Sequence, residues 1–237
     1  MPARLHSLIA RLRLGWQLRG LRWRRLRLPL PPSTVRTRRW DRFFQWLDLC
    51  LVFDFYEACT SLCSPSIRPL TGGEIYTLRT VFGNSIPYEL MRVDERAHLG
   101  PRQYRFLYVS FHTVNSWGPV STPTLVHEAV HVWQYVHRGA IYIPRALAAQ
   151  RSAMRYNYGG LNALAGAERL EDFNYEQMAD LVEDAFRLAN GYPAQWVRGR
   201  TAKVLHYYYP YLEELRDFAL PRPYRNPAEY RDVGHER

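Results

Sequence analysis

Apolar positions recur at helical spacing over most of this chain. Between residues 122 and 139, Leu125, Ala129, Val132, Trp133 and Val136 fall at i, i+4, i+7, i+8 and i+11, an apolar stripe that must face a core. The segment also carries its own end signals. Thr122 can cap the helix, Pro123 sits where its missing N–H costs nothing, and Gly139 suits the stop. Similar patterns predict helices over about 41–62, 72–82, 143–157, 174–190 and 200–218. Residues 104–113 are instead β-branched and aromatic and predict a strand, which with residues 89–94 gives a small sheet just before the helix at 122.

The first 28 residues place Leu5, Leu8, Ile9, Leu12 and Trp16 at helical spacing between arginines, although Gly15 and Gly20 weaken a helix there. Pro31 and Pro32 then break it. Three parts are expected: a basic arm at 1–40, a folded domain at 41–220 and a Pro/Arg-rich tail at 221–237.

Composition changes this picture only in its detail. With 47% hydrophobic and 23% charged residues in 237, the chain is an ordinary globular one, and disorder throughout is excluded. The net charge of +10 is concentrated in residues 1–40, which hold eleven arginines and no acid, so the remainder is near neutral. Only Lys203 among 32 basic residues is lysine, which points to a coding preference for arginine. The arm could rest on an anionic membrane, touch nucleic acid, serve as an Arg-rich presequence or trail in solvent.

Arginines interrupt every N-terminal stretch that might serve as a secretory signal. The longest apolar run, 46–62, contains Asp48, Asp54 and Glu57, too costly at a bilayer centre, so it reads as a core helix. Cytoplasmic residence is the default expectation, with export by a specialised system as the alternative. Cys50, Cys59 and Cys63 read as buried reduced thiols, because no further soft ligands lie nearby to complete a structural zinc site.

The predicted helix at 122–139 contains His127-Glu128-Ala129-Val130-His131, an H-E-x-x-H motif. Residues four apart share a helical face, so both imidazoles can reach one zinc ion while Glu128, one step round, can act on a water there. A catalytic zinc needs a third protein ligand. In the segment from Asn174, the asparagine can cap a helix with Gln177 at its third position, which puts Glu176 and Asp180 on one face. Glu176 is the expected third ligand, Glu183 its alternative, and Asp180 the carboxylate that would orient a ligating imidazole. Taken alone, the four acids at 176, 180, 183 and 184 would read as a solvated acidic face. His112 and His137 read as ordinary polar positions off the ligand face.

An H-E-x-x-H helix followed by a second helix carrying E-x-x-x-D resembles the gluzincin metallopeptidases. The segments from Val81 to Ile86 and from Leu125 to Gln134 also resemble small bacterial zincin-like domains, over roughly residues 68–190. The resemblance implies an α+β, zincin-like fold, mainly helical, whose small sheet lies beside the motif helix and presents an extended substrate from its edge strand. It also implies a zinc hydrolase acting on a peptide or protein, with Glu128 as general base. Between His131 and Glu176 lie 44 residues, longer than in compact members, and this insert could wall or cover the cleft. Tyr156, Tyr158, Tyr175 and His206 are candidate donors to an oxyanion. Two rivals stand beside this expectation: a non-catalytic module of a secretion or toxin assembly, and a membrane or nucleic-acid binder acting through the arm.

Overall fold

A computed structural model describes residues 2–64, 66–97, 107–197 and 202–224, among which are nine α-helices and one four-stranded sheet. The fold is α+β and mainly helical. Helices α1 (Pro2–Arg27), α2 (Arg38–Leu49) and α3 (Val52–Cys63) form an N-terminal layer, followed by β1 (Ile67–Pro69), α4 (Gly72–Phe82) and β2 (Arg92–Asp94). The hairpin β3 (Tyr108–Ser110) and β4 (Thr113–Asn115) leads into α5 (Thr122–Arg138). The remaining helices are α6 (Tyr142–Gln150), α7 (Gly160–Gly166), α8 (Tyr175–Ala189) and α9 (Tyr209–Asp217).

Helix α5 is capped one residue before the expected Thr122, because Ser121 accepts the Thr124 N–H through its hydroxyl. It ends at Gly139, whose φ of 77° is inexpensive only for glycine. Between those ends every residue from Leu125 to Val136 is buried, so the helix runs through the centre of the molecule. Helix α8 packs along it, with Ala179, Val182 and Ala185 fully enclosed. Across the far side, Trp133 donates its indole N–H to the Leu215 carbonyl at 3.1 Å.

The sheet runs in the order β1-β2-β4-β3, with β2 and β4 parallel and the outer pairs antiparallel. Residues 104–106 of the expected strand lie outside the described residues. The rest, up to 113, is a tight hairpin, not one strand. Phe111 takes a left-handed φ of 60° and is held by packing that overrides its β preference. Its ring lies 4.8 Å from Phe53, and the Tyr142 hydroxyl accepts its N–H at 2.9 Å. Leu51, at φ 63°, likewise divides the expected helix 41–62 into α2 and α3. The helix expected over 143–157 stops at Gln150, α7 follows unforeseen, and a 3-10 turn over Ala202–Tyr207 precedes α9.

Charge organises the N-terminal layer. Arg22 on α1 bonds both Asp54 oxygens, at 2.6 and 3.1 Å, reaches Asp48 at 3.1 Å and donates to the Tyr135 hydroxyl of α5 at 3.1 Å. Arg11 pairs with Glu57 at 2.7 Å, and the other Glu57 oxygen meets His112 Nδ1 at 3.0 Å. Gly15 permits this close approach, since a β-carbon there would overlap the Asp54 carboxylate. On α6, Arg145 bonds Asp41 at 3.0 Å and the carbonyls of Pro31 and Pro32 at 2.9 Å. The three cysteines are free, but Cys50 and Cys63 are exposed, contrary to the expectation of buried thiols, because they sit at the solvent-facing ends of α2 and α3.

Removing one partner of a buried ion pair leaves the other charge unanswered, at a cost of about 3–5 kcal/mol. Arg22→Met should therefore lower the melting temperature by roughly 10 °C, at about 2–4 °C per kcal/mol for a chain of this size. Calorimetry checks this, and an unchanged melt contradicts it. Acid should also unfold the protein early. Burial opposes the Glu57 charge, but His112 and Arg11 outweigh it and hold the carboxyl down at about 2. Burial, with Arg25 and Arg138 nearby, lowers His137 to about 4 despite its bond to the Ser85 carbonyl. Both groups bind protons more readily when unfolded. Stability should thus fall below the ordinary histidine value of 6.5 and fall further from about 4.5 toward 2. Glu57→Gln should flatten the lower part of that curve.

Candidate metal centre

His127 and His131 project from one face of α5, and Glu176 from the first turn of α8, where Asn174 caps the helix by accepting the N–H groups of Glu176 and Gln177. All three residues are buried. Glu176 Oε2 lies 3.6 Å from His127 Nε2 and 3.5 Å from His131 Nε2, and one ligand atom from each of the three falls within 4.8 Å of the others. A tetrahedral ion with bonds of about 2.0–2.2 Å separates neighbouring ligand atoms by roughly 3.3–3.6 Å. The donor spacing fits such an ion.

The outer bonds decide which atoms face inward. His127 Nδ1 meets Asp180 Oδ1 at 2.9 Å and Glu183 Oε2 at 3.3 Å, so its proton belongs on Nδ1 and its Nε2 lone pair points at Glu176. His131 Nδ1 donates to Gln134 Oε1 at 2.9 Å, and the Gln134 amide is itself fixed by donating to the Tyr175 carbonyl at 2.9 Å. Gln150 donates to the other Glu176 oxygen at 2.8 Å, and Trp196 donates its indole N–H to Asp180. Three ligand atoms thus face one point, an arrangement that could hold a metal ion.

The electrostatics agree. Burial disfavours charged imidazole, yet Asp180, Glu176 and Glu183 outweigh it at His127, and Glu176 does so at His131, raising both. Burial disfavours the Glu176 charge too, but His131 and His127 outweigh it and hold that carboxyl far below its ordinary range. Glu128 differs: burial, with Glu176 and Glu183 nearby, raises it in spite of the imidazoles. Four buried carboxylates, Glu128, Glu176, Asp180 and Glu183, surround the two imidazoles, and among the described residues the arginine paired with them is Arg187, on Glu183 at 2.7 Å. The site has a deficit of positive charge that a divalent ion would fill.

His127, Glu128, His131 and Glu176 line one end of a cavity of about 380 Å³. Leu107, Val109, Ile143, Ala146 and Leu147 form its apolar walls, so β3 and α6 border the site directly. Tyr156 also lines it, with its ring 6.1 Å from that of His127. Of the other candidate donors, Tyr158 is bonded to Asp184 and Tyr208, Tyr175 packs against Arg145, and exposed His206 bonds the Lys203 carbonyl. None of these three lines the cavity. His112 and His137 stand apart as well, on Glu57 and on the Ser85 carbonyl. Gln134, Gln150 and Trp196 were not anticipated from the sequence. Gln134 carried a readable signal, three residues after His131 on the same helix, whereas Gln150 and Trp196 reach the site only through tertiary packing.

No family model matches the chain, and no solved structure matches it. The chain is similar to the type VI secretion system spike protein VgrG2b of Pseudomonas aeruginosa, at 28% identity over 152 residues. That alignment covers 58% of this chain and 15% of the much longer relative. Among the described residues no helix is long and apolar enough to cross a membrane.

The outer bonds predict how metal affinity responds to substitution. Zinc at a hundredfold excess over its dissociation constant should stabilise the protein by about 2.7 kcal/mol, and Glu176→Ala should abolish that gain. Gln134→Ala should weaken zinc binding by roughly 10–100-fold without abolishing it. Competition against a chromogenic chelator measures both.

Proposed function

We propose that this protein is a zinc-dependent hydrolase acting on peptide bonds, built on a zincin-like arrangement, with His127, His131 and Glu176 as the metal ligands. The observation that carries this reading is the convergence of two Nε2 lone pairs and one carboxylate oxygen at 3.5–3.6 Å, beside a cavity that also holds Glu128. A zinc ion bound there supplies a Lewis acid that polarises a carbonyl and brings the pKa of a water to about 7.

The protein's own groups do the rest. The Glu128 side chain makes no hydrogen bond to another described residue, and burial raises its carboxyl above the ordinary value, which suits a group that must take a proton and return it. It receives the proton of the attacking water and delivers it to the leaving amine. Asp180 holds His127 in the tautomer that leaves Nε2 bare, and Gln134 does the same for His131. Gln150 keeps one Glu176 oxygen occupied so that the other faces the imidazoles. Of the four candidate donors, Tyr156 is the one that lines the cavity, with its ring 6.1 Å from that of His127, and it supports a developing oxyanion. The outer strand β3 bounds the same cavity, where an extended peptide can lie along it.

A second reading draws on the similarity to a spike protein: the chain is a zinc-stabilised module of a secretion assembly with no catalysis of its own. The two readings share the metal and differ at Glu128. Glu128→Gln should keep zinc and the melting temperature while lowering hydrolysis of a protein substrate such as casein by about 10²–10⁴-fold. Wild-type protein with full zinc that cleaves neither casein nor a mixed peptide library, and does not differ from Glu128→Gln, favours the assembly module.

A further inference from the structure

The N-terminal layer exposes large apolar and positively charged side chains together. On α1, Ile9, Trp16 and Trp23 stand seven residues apart on one face, and the two indoles are 63% and 41% exposed. Arg13, Arg19, Arg24 and Arg27 are exposed around them, and no acid occurs before Asp41. The Arg19 and Arg27 guanidinium groups each lie 4.5 Å from the ring centroid of Trp16 and Trp23. Helix α2 continues the chemistry: Trp40, Phe43 and Trp46 are 61%, 51% and 51% exposed, beside Arg38 and Arg39. The opposite face of α1, through Arg11, Gly15, Leu18 and Arg22, is committed to α3 and the core.

We propose that this layer docks on an anionic lipid surface, with α1 lying in the interface plane. Indoles rest at the boundary between headgroups and acyl chains, while arginines extend to the phosphates. The helix is about 39 Å long at 1.5 Å per residue, but arginines throughout its length keep it from spanning. Charge argues against the other occupants. A second copy would set arginine against arginine, with no acid on the face to answer it. A stacked nucleobase would have to share Trp16 and Trp23 with guanidinium groups that already lie over one face of each. The proposal does not depend on the hydrolytic reading.

The test is co-sedimentation of the full-length, zinc-loaded protein with phosphatidylcholine vesicles, with and without phosphatidylglycerol. Wild type should sediment with the anionic vesicles and remain free of the neutral ones. The double variant Trp16→Ser, Trp23→Ser should lose at least about tenfold in partitioning while keeping its zinc and its melting temperature, because both indoles are exposed. Failure of wild type to bind anionic vesicles overturns the proposal, as does equal binding by the double variant. Lipid-free dimerisation that the double variant loses assigns the face to a second copy instead. Oligonucleotide binding without vesicle binding assigns the arginines to nucleic acid.

Discussion

The architecture depends on one constraint: two imidazole nitrogens and a carboxylate oxygen are held toward one buried point, with the oxygen 3.5–3.6 Å from each nitrogen. The raised imidazoles and the depressed Glu176 are the same field seen from each side, negative charge favouring a positive partner at this point. The neighbouring structure exists to hold the donors in this state. Asn174 fixes the first turn that carries Glu176, Gln134 and Asp180 choose the tautomers, and Gln150 occupies the spare carboxylate oxygen. Even the loop after α8 contributes, since Asp184 accepts the N–H groups of Gln195 and Trp196 and so places the indole that bonds Asp180. Such support lets binding proceed without a large ordering cost.

A second group of buried acids in the same molecule shows what happens when protein supplies the cation. Asp48, Asp54 and Glu57 are as enclosed as the acids of the metal centre, yet Arg22 and Arg11 meet them at hydrogen-bond distance. Arg22 also bonds Tyr135, one helical turn beyond His131 on α5, so the N-terminal layer buttresses the helix that carries the motif. Where arginine arrives the acids serve folding; where it does not, a site for an external ion remains.

Much of the centre was legible because its signals are local. The four-residue spacing of the histidines, the apolar stripe around them, Pro123, Gly139 and the Asn174 cap are all read within a single helix. What the sequence concealed was tertiary. Leu51 and Phe111 adopt left-handed backbone that neither residue prefers, imposed at Phe111 by aromatic packing, and so one expected helix and one expected strand each became two elements. Arginines of the first 40 residues look like solvated charge in any local reading, and only the fold reveals that Arg11 and Arg22 are buried opposite distant acids. The insert between His131 and Glu176 was expected to wall the cleft, and α6 does so, but the contacts of Gln150 and Trp196 with the site arise only from tertiary packing.

X-ray absorption at the zinc edge of the purified, zinc-loaded protein reads the proposed ligand shell itself. One zinc is expected in a shell of nitrogen and oxygen at about 2.0–2.2 Å, with the multiple-scattering signature of two imidazoles that falls to one in His131→Ala. A shell containing sulfur at about 2.3 Å, or an imidazole signature unaltered by that substitution, would contradict it.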